Sequence, residues 1–434
     1  MSNPVDPYLA NHSFEPMTLG MLLTVVVLAA GCTAPPESID PLERARSILR
    51  ETPIIDTHND LPWVIREKAK GDVANFDISQ PARFDTDIPR LRKGMVGAQF
   101  WSVYVPSSLG PFEAVRTQLE QIDIARRIIA RYPNDLGLAM SVGDIQREQG
   151  RGRIASLLGI EGGHTIGNSL GALRAYFALG VRYMTLTHFH SNDWADSATG
   201  VVQHDGISRF GEEVVREMNR LGMMVDISHV SPAAMQDVLN TSEAPVIFSH
   251  SSARALVDHV RNVPDSILQR MPANGGVVMV AFVPPFISEP ARIWADGLLP
   301  LLAEATSDQE WGRITRQYAA EKGPSPRATL ADVADHIDHI AQVAGVDHVG
   351  IGADFYGAEE ESELVQGMED VSTYPLLFAE LVKRGWSEDD LRKLAADNLL
   401  RVFRQVERVS QRLRPTRVPS LATIEELDGA PARQ

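Results

Sequence analysis

A set of acidic and imidazole side chains follows short apolar runs in this chain. His58 and Asp60 follow Pro53-Ile54-Ile55, Glu161 follows Leu157-Leu158-Gly159-Ile160, and His188 follows Met184-Thr185-Leu186-Thr187. His229 follows Val225-Asp226-Ile227-Ser228, His250 follows Val246-Ile247-Phe248-Ser249, and Asp354 follows Val349-Gly350-Ile351-Gly352-Ala353. If the first run is a strand, residues two apart share a face, and His58 and Asp60 can chelate a divalent metal from one element. The same pair also fits a turn closing a strand, with Asn59 and Asp60 chosen for turn chemistry and Pro62 ending it. A lone histidine at a strand end is ordinarily a hydrogen-bonded structural group, and Asp354 alone fits a helix N-cap. Glu161, beside Gly162 and Gly163, fits an exposed turn. The metal reading gains because all of these residues fall at the same end of successive runs.

The elements that must position them alternate. Strand candidates lie at 53–58, 96–104, 155–161, 181–187, 223–228, 245–250, 276–282 and 348–353, with amphipathic helical stretches such as 113–131, 207–221 and 328–344 between them. Strand-helix alternation at this length predicts a parallel sheet, and about eight strands predict a closed (β/α)8 barrel of the TIM type. The continuous Val, Ile and Leu runs fit strands buried on both faces. In such a barrel, chemistry sits at the C-terminal ends of the strands, where these side chains fall. A ninth apolar run at 136–142 is expected to be an excursion within one strand-helix unit. The stretch 285–327 reads as helices inserted after the seventh strand.

Composition narrows the chemistry. A formal net charge of -16 over 434 residues argues against a nucleic-acid partner, which needs a basic face. With one cysteine, Cys32, neither an internal disulfide framework nor a cysteine-based zinc site is available. Ligands must therefore be His, Asp and Glu. No lysine occurs between Lys93 and Lys322, so the middle strands cannot supply a carbamylated lysine to bridge two metals. Glu161 is the acidic group left to bridge. Of the other histidines, His190 competes with His188. His336 and His339 read as an exposed helix face, and His348 lies at the N-terminal end of its strand.

Residues 17–31 form an apolar run shorter than the ~20 residues of a spanning helix. Ala29-Ala30-Gly31-Cys32 resembles a bacterial lipobox, which implies a signal peptide over 1–32, lipidation at Cys32 and a tether over 33–44. Thr33 in the next position implies sorting to the outer membrane of a Gram-negative cell, facing the periplasm. The first basic residue is Arg44, so the usual positive leader is missing. The catalytic barrel is expected over 45–408 and a poorly ordered, Pro-rich tail over 409–434.

The ordered series of motifs resembles the membrane dipeptidase (renal dipeptidase) family of zinc peptidases, which has the metallo-dependent hydrolase architecture. The pieces include Ile55-Asp-Thr-His-Asn-Asp60, Gly159-Ile-Glu-Gly-Gly-His164, Tyr183-Met-Thr-Leu-Thr-His188, Asp226-Ile-Ser-His-Val-Ser231, Ser249-His-Ser-Ser252, Arg261-Asn-Val-Pro-Asp265 and Gly350-Ile-Gly-Ala-Asp354. The resemblance implies two Zn2+ ions, one on His58 and Asp60, the other on His229 and His250, with Glu161 between them. It implies substrate contacts from His188 and Arg261, with Asp354 as catalytic acid/base and His188 donating to the oxyanion. The implied reaction is hydrolysis of dipeptides, LL with LD left open, by a metal-bridging hydroxide, in a homodimer. Two other readings use the same residues: an amidohydrolase acting on N-acyl amino acids or lactones, and a non-catalytic peptide-binding surface lipoprotein.

Overall fold

The computed structural model describes residues 40–302, 308–358 and 363–429. Among them run nine strands: β1 (Ile54–Asp56), β2 (Val96–Ser102), β3 (Leu136–Leu138), β4 (Ile154–Glu161), β5 (Val181–Thr185), β6 (Met224–Asp226), β7 (Ile247–Phe248), β8 (Val277–Val280) and β9 (Val349–Ile351). Every strand pairing is parallel, and the β1–β9 and β2–β4 pairings close a ring of eight. This is the predicted (β/α)8 barrel. The remaining strand, β3, is the ninth apolar run. It pairs with the first residues of β4, Leu136 with Ile154 and Leu138 with Ser156, whereas β5 pairs with the last, Glu161 with Thr185. It therefore lines up below β5 and takes no place in the ring.

Period-two alternation sorts the strand residues into two cores. Ile55, Leu157, Tyr183, Met224, Ile247, Val277 and Met279 face inward and form one cluster. Ile54, Leu158, Met184, Val225, Phe248, Val278 and Val280 face the surrounding helices and belong to the other. The inward parity of Leu157 carries to Glu161 at the far end of β4, which aims its carboxylate into the barrel mouth. The inner cluster continues into Leu399, Val402, Phe403 and Val406 of helix Asn398–Leu413, so this helix covers the N-terminal end of the barrel. Chemistry is left one open end.

Two boundary expectations are corrected. Helix Pro41–Glu51 begins inside the segment assigned to the tether, because Asp40 caps it by accepting from Leu42 N and Pro41 suits its first turn. The tail is ordered from 409 through 429. Its last turn of helix reaches Leu413, and helix Ile424–Asp428 places the Asp428 carboxylate on Arg209 N, Phe210 N and Ser208 Oγ at 2.6–3.0 Å. That carboxylate sits at the N-terminus of helix Arg209–Leu221, where it satisfies free amides and meets the positive end of the dipole. The Pro-rich composition concealed this anchor. The insertion after β8 is helical as expected, with helices Glu289–Leu302 and Asp308–Lys322. No helix among the described residues is long and apolar enough to cross a membrane. Cys32 and the rest of the segment 1–32 lie outside the described residues.

Candidate metal centre

β1 stops at Asp56, two residues earlier than predicted, so His58 and Asp60 are not two positions on one strand. The backbone nevertheless stays extended beside the chain leaving β9. Asp354 N donates to His58 O at 3.2 Å, and Asp60 N donates to Phe355 O at 2.9 Å. This zipper brings Asp354 next to the pair. Asn59 shapes the turn: its Oδ1 accepts from Leu61 N and its Nδ2 donates to Thr86 Oγ1. Asp60 precedes helix Leu61–Ala69 yet makes no capping bond with its side chain, so its carboxylate is spared for other work.

Glu161 is the centre of the arrangement. Its Oε2 lies 3.5 Å from His58 Nε2, while its Oε1 lies 3.0 Å from His229 Nε2, 3.3 Å from His250 Nε2 and 3.6 Å from His188 Nε2. His58 Nε2 in turn is 3.6 Å from Asp60 Oδ2 and 3.7 Å from Asp354 Oδ1. One carboxylate thus faces two separate groups of donors with its two oxygens. Gly162 follows at φ 115°, a conformation a side chain would strain, and it turns the chain away at once. His229 and Asp354 both sit at φ 65°, an uncommon backbone for residues with a Cβ. Strain of this kind gathers where side-chain aim matters more than backbone comfort.

The donors fit divalent metal. Tetrahedral ligands bound at about 2.0–2.1 Å stand about 3.4 Å from one another. Glu161 Oε1, His229 Nε2 and His250 Nε2 stand 3.0, 3.0 and 3.3 Å apart. Two imidazole Nε2 atoms at 3.0 Å can share one cation. Buried His58 Nε2 and Asp60 Oδ1 find no hydrogen-bond partner among the described residues. Burial, reinforced by nearby cationic groups, pushes His229 and His250 well below the usual imidazole range, so both are neutral, as ligands must be. Burial disfavours ionised Glu161, but His58 and His188 lead the opposing contacts and hold it well below the usual carboxylate range.

Two aspartates that sequence reasoning passed over hold the donors. Asp56 Oδ1 accepts from His58 N at 3.1 Å and Ala353 N at 3.0 Å, and Tyr374 Oη donates to its Oδ2 at 2.6 Å. Asp226 Oδ1 accepts from Ser228 N at 3.0 Å and Ser249 N at 2.8 Å. Each aspartate ends a strand, binds the amide two residues on, and binds the neighbouring strand's exit. Asp56 thereby joins the segments carrying His58 and Asp354; Asp226 joins those carrying His229 and His250. Their signal was in the sequence: an acidic residue two or three positions before a candidate ligand, at the end of an apolar run.

His188 lies beside this centre, buried, and burial lowers it to about 4 against the pull of Glu161, so it is neutral. His190, its competitor, is exposed and pairs with Ser107 Oγ. Arg261 is 2% exposed. Its Nη1 donates to Ser251 Oγ at 3.4 Å and its Nη2 to His250 O at 3.2 Å, while no described carboxylate pairs with it. Burial lowers it to about 10, which leaves it cationic. A buried cation without a counter-ion is costly unless an anion joins it. His336 is buried, not exposed as expected, and its Nδ1 accepts from Ala253 N. His348 bonds Gly276 O at the closed end of the barrel.

A parallel (β/α)8 barrel with His, Asp and Glu ligands at its open end defines a metallo-dependent hydrolase. The sequence profile of the membrane dipeptidases, peptidase family M19, matches residues 42–417, and the chain belongs to that family of metallo-dipeptidases. Dipeptidase 3 of Mus musculus and that of Rattus norvegicus are each 42% identical to it over 375 residues, covering 85% of this chain and 68% of theirs. The probable dipeptidase PvdM from Pseudomonas aeruginosa superposes with a TM-score of 0.74 at 26% identity, covering 85% of this chain and 99% of its own. A metallo peptidase from Rhodobacter sphaeroides, solved with a phosphinate mimic of the dipeptide L-Ala-D-Ala, shares the fold. Its TM-score is 0.67 at 22% identity, with 82% and 99% covered.

Proposed function

We propose that this chain hydrolyses the amide bond of free dipeptides, LL and LD, with two zinc ions held by His58, Asp60, Glu161, His229 and His250. The observation that carries the reading is the Glu161 carboxylate, turned with one oxygen to His58 and the other to His229 and His250. When bound, zinc supplies Lewis acidity toward the amide carbonyl and makes water a usable nucleophile near neutral pH. The protein's own groups do the rest. Arg261 holds the dipeptide's terminal carboxylate in a fork, which restricts substrates to short ones and does not by itself select the hand of the second residue. Neutral His188 donates to the developing oxyanion, an interaction that strengthens in the transition state. Asp354 Oδ takes the proton of the attacking water and delivers it to the departing amine. Burial first, then Asp60 and Glu161, push Asp354 up to about 7 in the metal-free chain.

The test is metal stoichiometry alongside hydrolysis of LL and LD dipeptides, N-acyl amino acids and lactones, with chelation and zinc add-back. Two zinc ions and dipeptide turnover lost on chelation are expected. Preferential turnover of N-acyl amino acids would transfer the reading to another amidohydrolase, and a metal-free, inactive protein would leave a peptide binder. Replacing Arg261 by Met should lower kcat/KM for dipeptides roughly 10²–10³-fold, mostly through KM. Dipeptide amides, which lack the carboxylate, should be equally poor for both enzymes. An Arg261→Met enzyme that still prefers the free acid would remove the anchor.

We also propose, from the N-terminal sequence and the family resemblance, a homodimer exported and lipid-anchored through Cys32 on the outer membrane, facing the periplasm. Labelled palmitate should enter the chain and be absent from Cys32→Ala; incorporation that survives the substitution would exclude this anchor.

A further inference from the structure

Two hydroxyl groups behind the ligands have only one arrangement that satisfies all their partners. Ser249 Oγ lies 2.6 Å from Asp226 Oδ2 and 2.8 Å from His250 Nδ1. A hydroxyl has one proton, and the carboxylate can only accept, so that proton goes to Asp226. His250 must then donate its Nδ1–H to Ser249 Oγ. On the other side of the centre, Tyr183 Oη lies 3.0 Å from Thr57 O and 3.0 Å from His58 Nδ1. The carbonyl also only accepts, so Tyr183 donates to Thr57 O and accepts Nδ1–H from His58. Both hydroxyls are buried completely.

The fold has made room for this. Tyr183 points into the barrel, and its ring fills the space where a side chain on Gly159 would stand; any Cβ there would collide with it. Thr185 Oγ1 also donates to Asp226 Oδ2, so that carboxylate accepts four bonds in all and has no freedom to turn. Asp226, Ser249 and His250 form a carboxylate–hydroxyl–imidazole chain. Thr57, Tyr183 and His58 form a carbonyl–hydroxyl–imidazole chain.

We propose that Tyr183 and Ser249 are positioning residues that fix His58 and His250 as Nδ1–H tautomers, so that each presents its Nε2 lone pair to the metal centre. Each hydroxyl serves one side of Glu161: Tyr183 the side of His58 and Asp60, Ser249 the side of His229 and His250. The inference rests on the two-zinc reading above. Loss of an outer partner of a metal-bound histidine weakens the metal about 10- to 100-fold, and here the loss should be confined to one ion at a time.

Zinc affinity by chelator competition and zinc content per chain test this without reference to turnover. Tyr183→Phe, which keeps the ring in its slot, should weaken one of the two ions about 10- to 100-fold and leave the other. Ser249→Ala should do the same to the other ion, and Ser249→Thr, which restores a hydroxyl, should recover it. Imidazole ¹⁵N shifts of the zinc-loaded parent should show the remaining proton of His58 and His250 on Nδ1. If Tyr183→Phe fails to fold, the serine pair and the nitrogen shifts decide. A parent with two zinc ions whose variants hold both as tightly, or a proton found elsewhere on either ring, overturns this inference alone. A parent with fewer than two ions overturns the two-zinc reading, and this inference with it.

Discussion

Replacing Glu161 by Gln should cost at least one zinc ion per chain and lower kcat/KM for dipeptides on the order of 10⁴-fold, equivalent to about 5.5 kcal/mol of transition-state stabilisation. The reason lies in the division of labour between its two oxygens. Oε2 faces His58 and Oε1 faces His229 and His250, so both donor groups lean on one residue. An amide keeps the shape but replaces one of the two acceptors by a donor, and an N–H aimed at a cation repels it. The negative charge is lost as well, in a pocket where burial magnifies charge. Asp60→Asn, by contrast, alters only the donors around His58 and should leave the second ion in place. Metal analysis of the two variants distinguishes a shared ligand from an ordinary one. A Glu161→Gln protein that keeps two zinc ions and most of its turnover would show that the carboxylate bridges nothing.

The barrel and its donors were legible for a common reason: both follow from period. Runs buried on both faces mark parallel strands, and the mouth of a parallel barrel is where each run ends. The lysine-free stretch then left Glu161 as the candidate bridge, and β4 gives it the inward parity a bridging role would need. What could not be read was whatever depends on neighbours distant in sequence. The Asp56 clamp reaches Ala353 and Tyr374, about 300 residues away, and no local pattern announces such a partner. His336 illustrates the converse. Its spacing with His339 suggested a wet helix face, yet the amide of Ala253 binds its ring and buries it. Asp428 is the third case, since a Pro-rich tail conceals a residue whose carboxylate accepts from the free amides of helix Arg209–Leu221.

In the proposed mechanism Asp354 joins catalysis to stability. In the metal-free chain burial raises its carboxyl from the ordinary 3.8 to about 7, with Asp60 and Glu161 adding repulsion and His58 opposing it. The folded state therefore holds this proton more tightly than the unfolded state does between pH 4 and 7. Below pH 4 both states are protonated and the group is neutral in its effect. As pH rises through that window, the folded chain forfeits stability on account of Asp354, and above about 7 the loss is complete. Asparagine has no such proton. The chelated Asp354→Asn protein should therefore gain stability over the chelated parent as pH rises from 4 to 7, measured by urea unfolding at each pH. The same substitution should keep both zinc ions and lower kcat about 10²–10⁴-fold, the range expected for a lost acid/base. The two readouts move in opposite directions because one placement underlies both: a carboxyl group buried among other carboxylates weakens the empty fold, and in the proposed mechanism that position sets it beside the reacting atoms. An Asp354→Asn protein with near-parental turnover would remove the acid/base role. One whose chelated stability tracks the parent across the window would show that the burial acts on some other group.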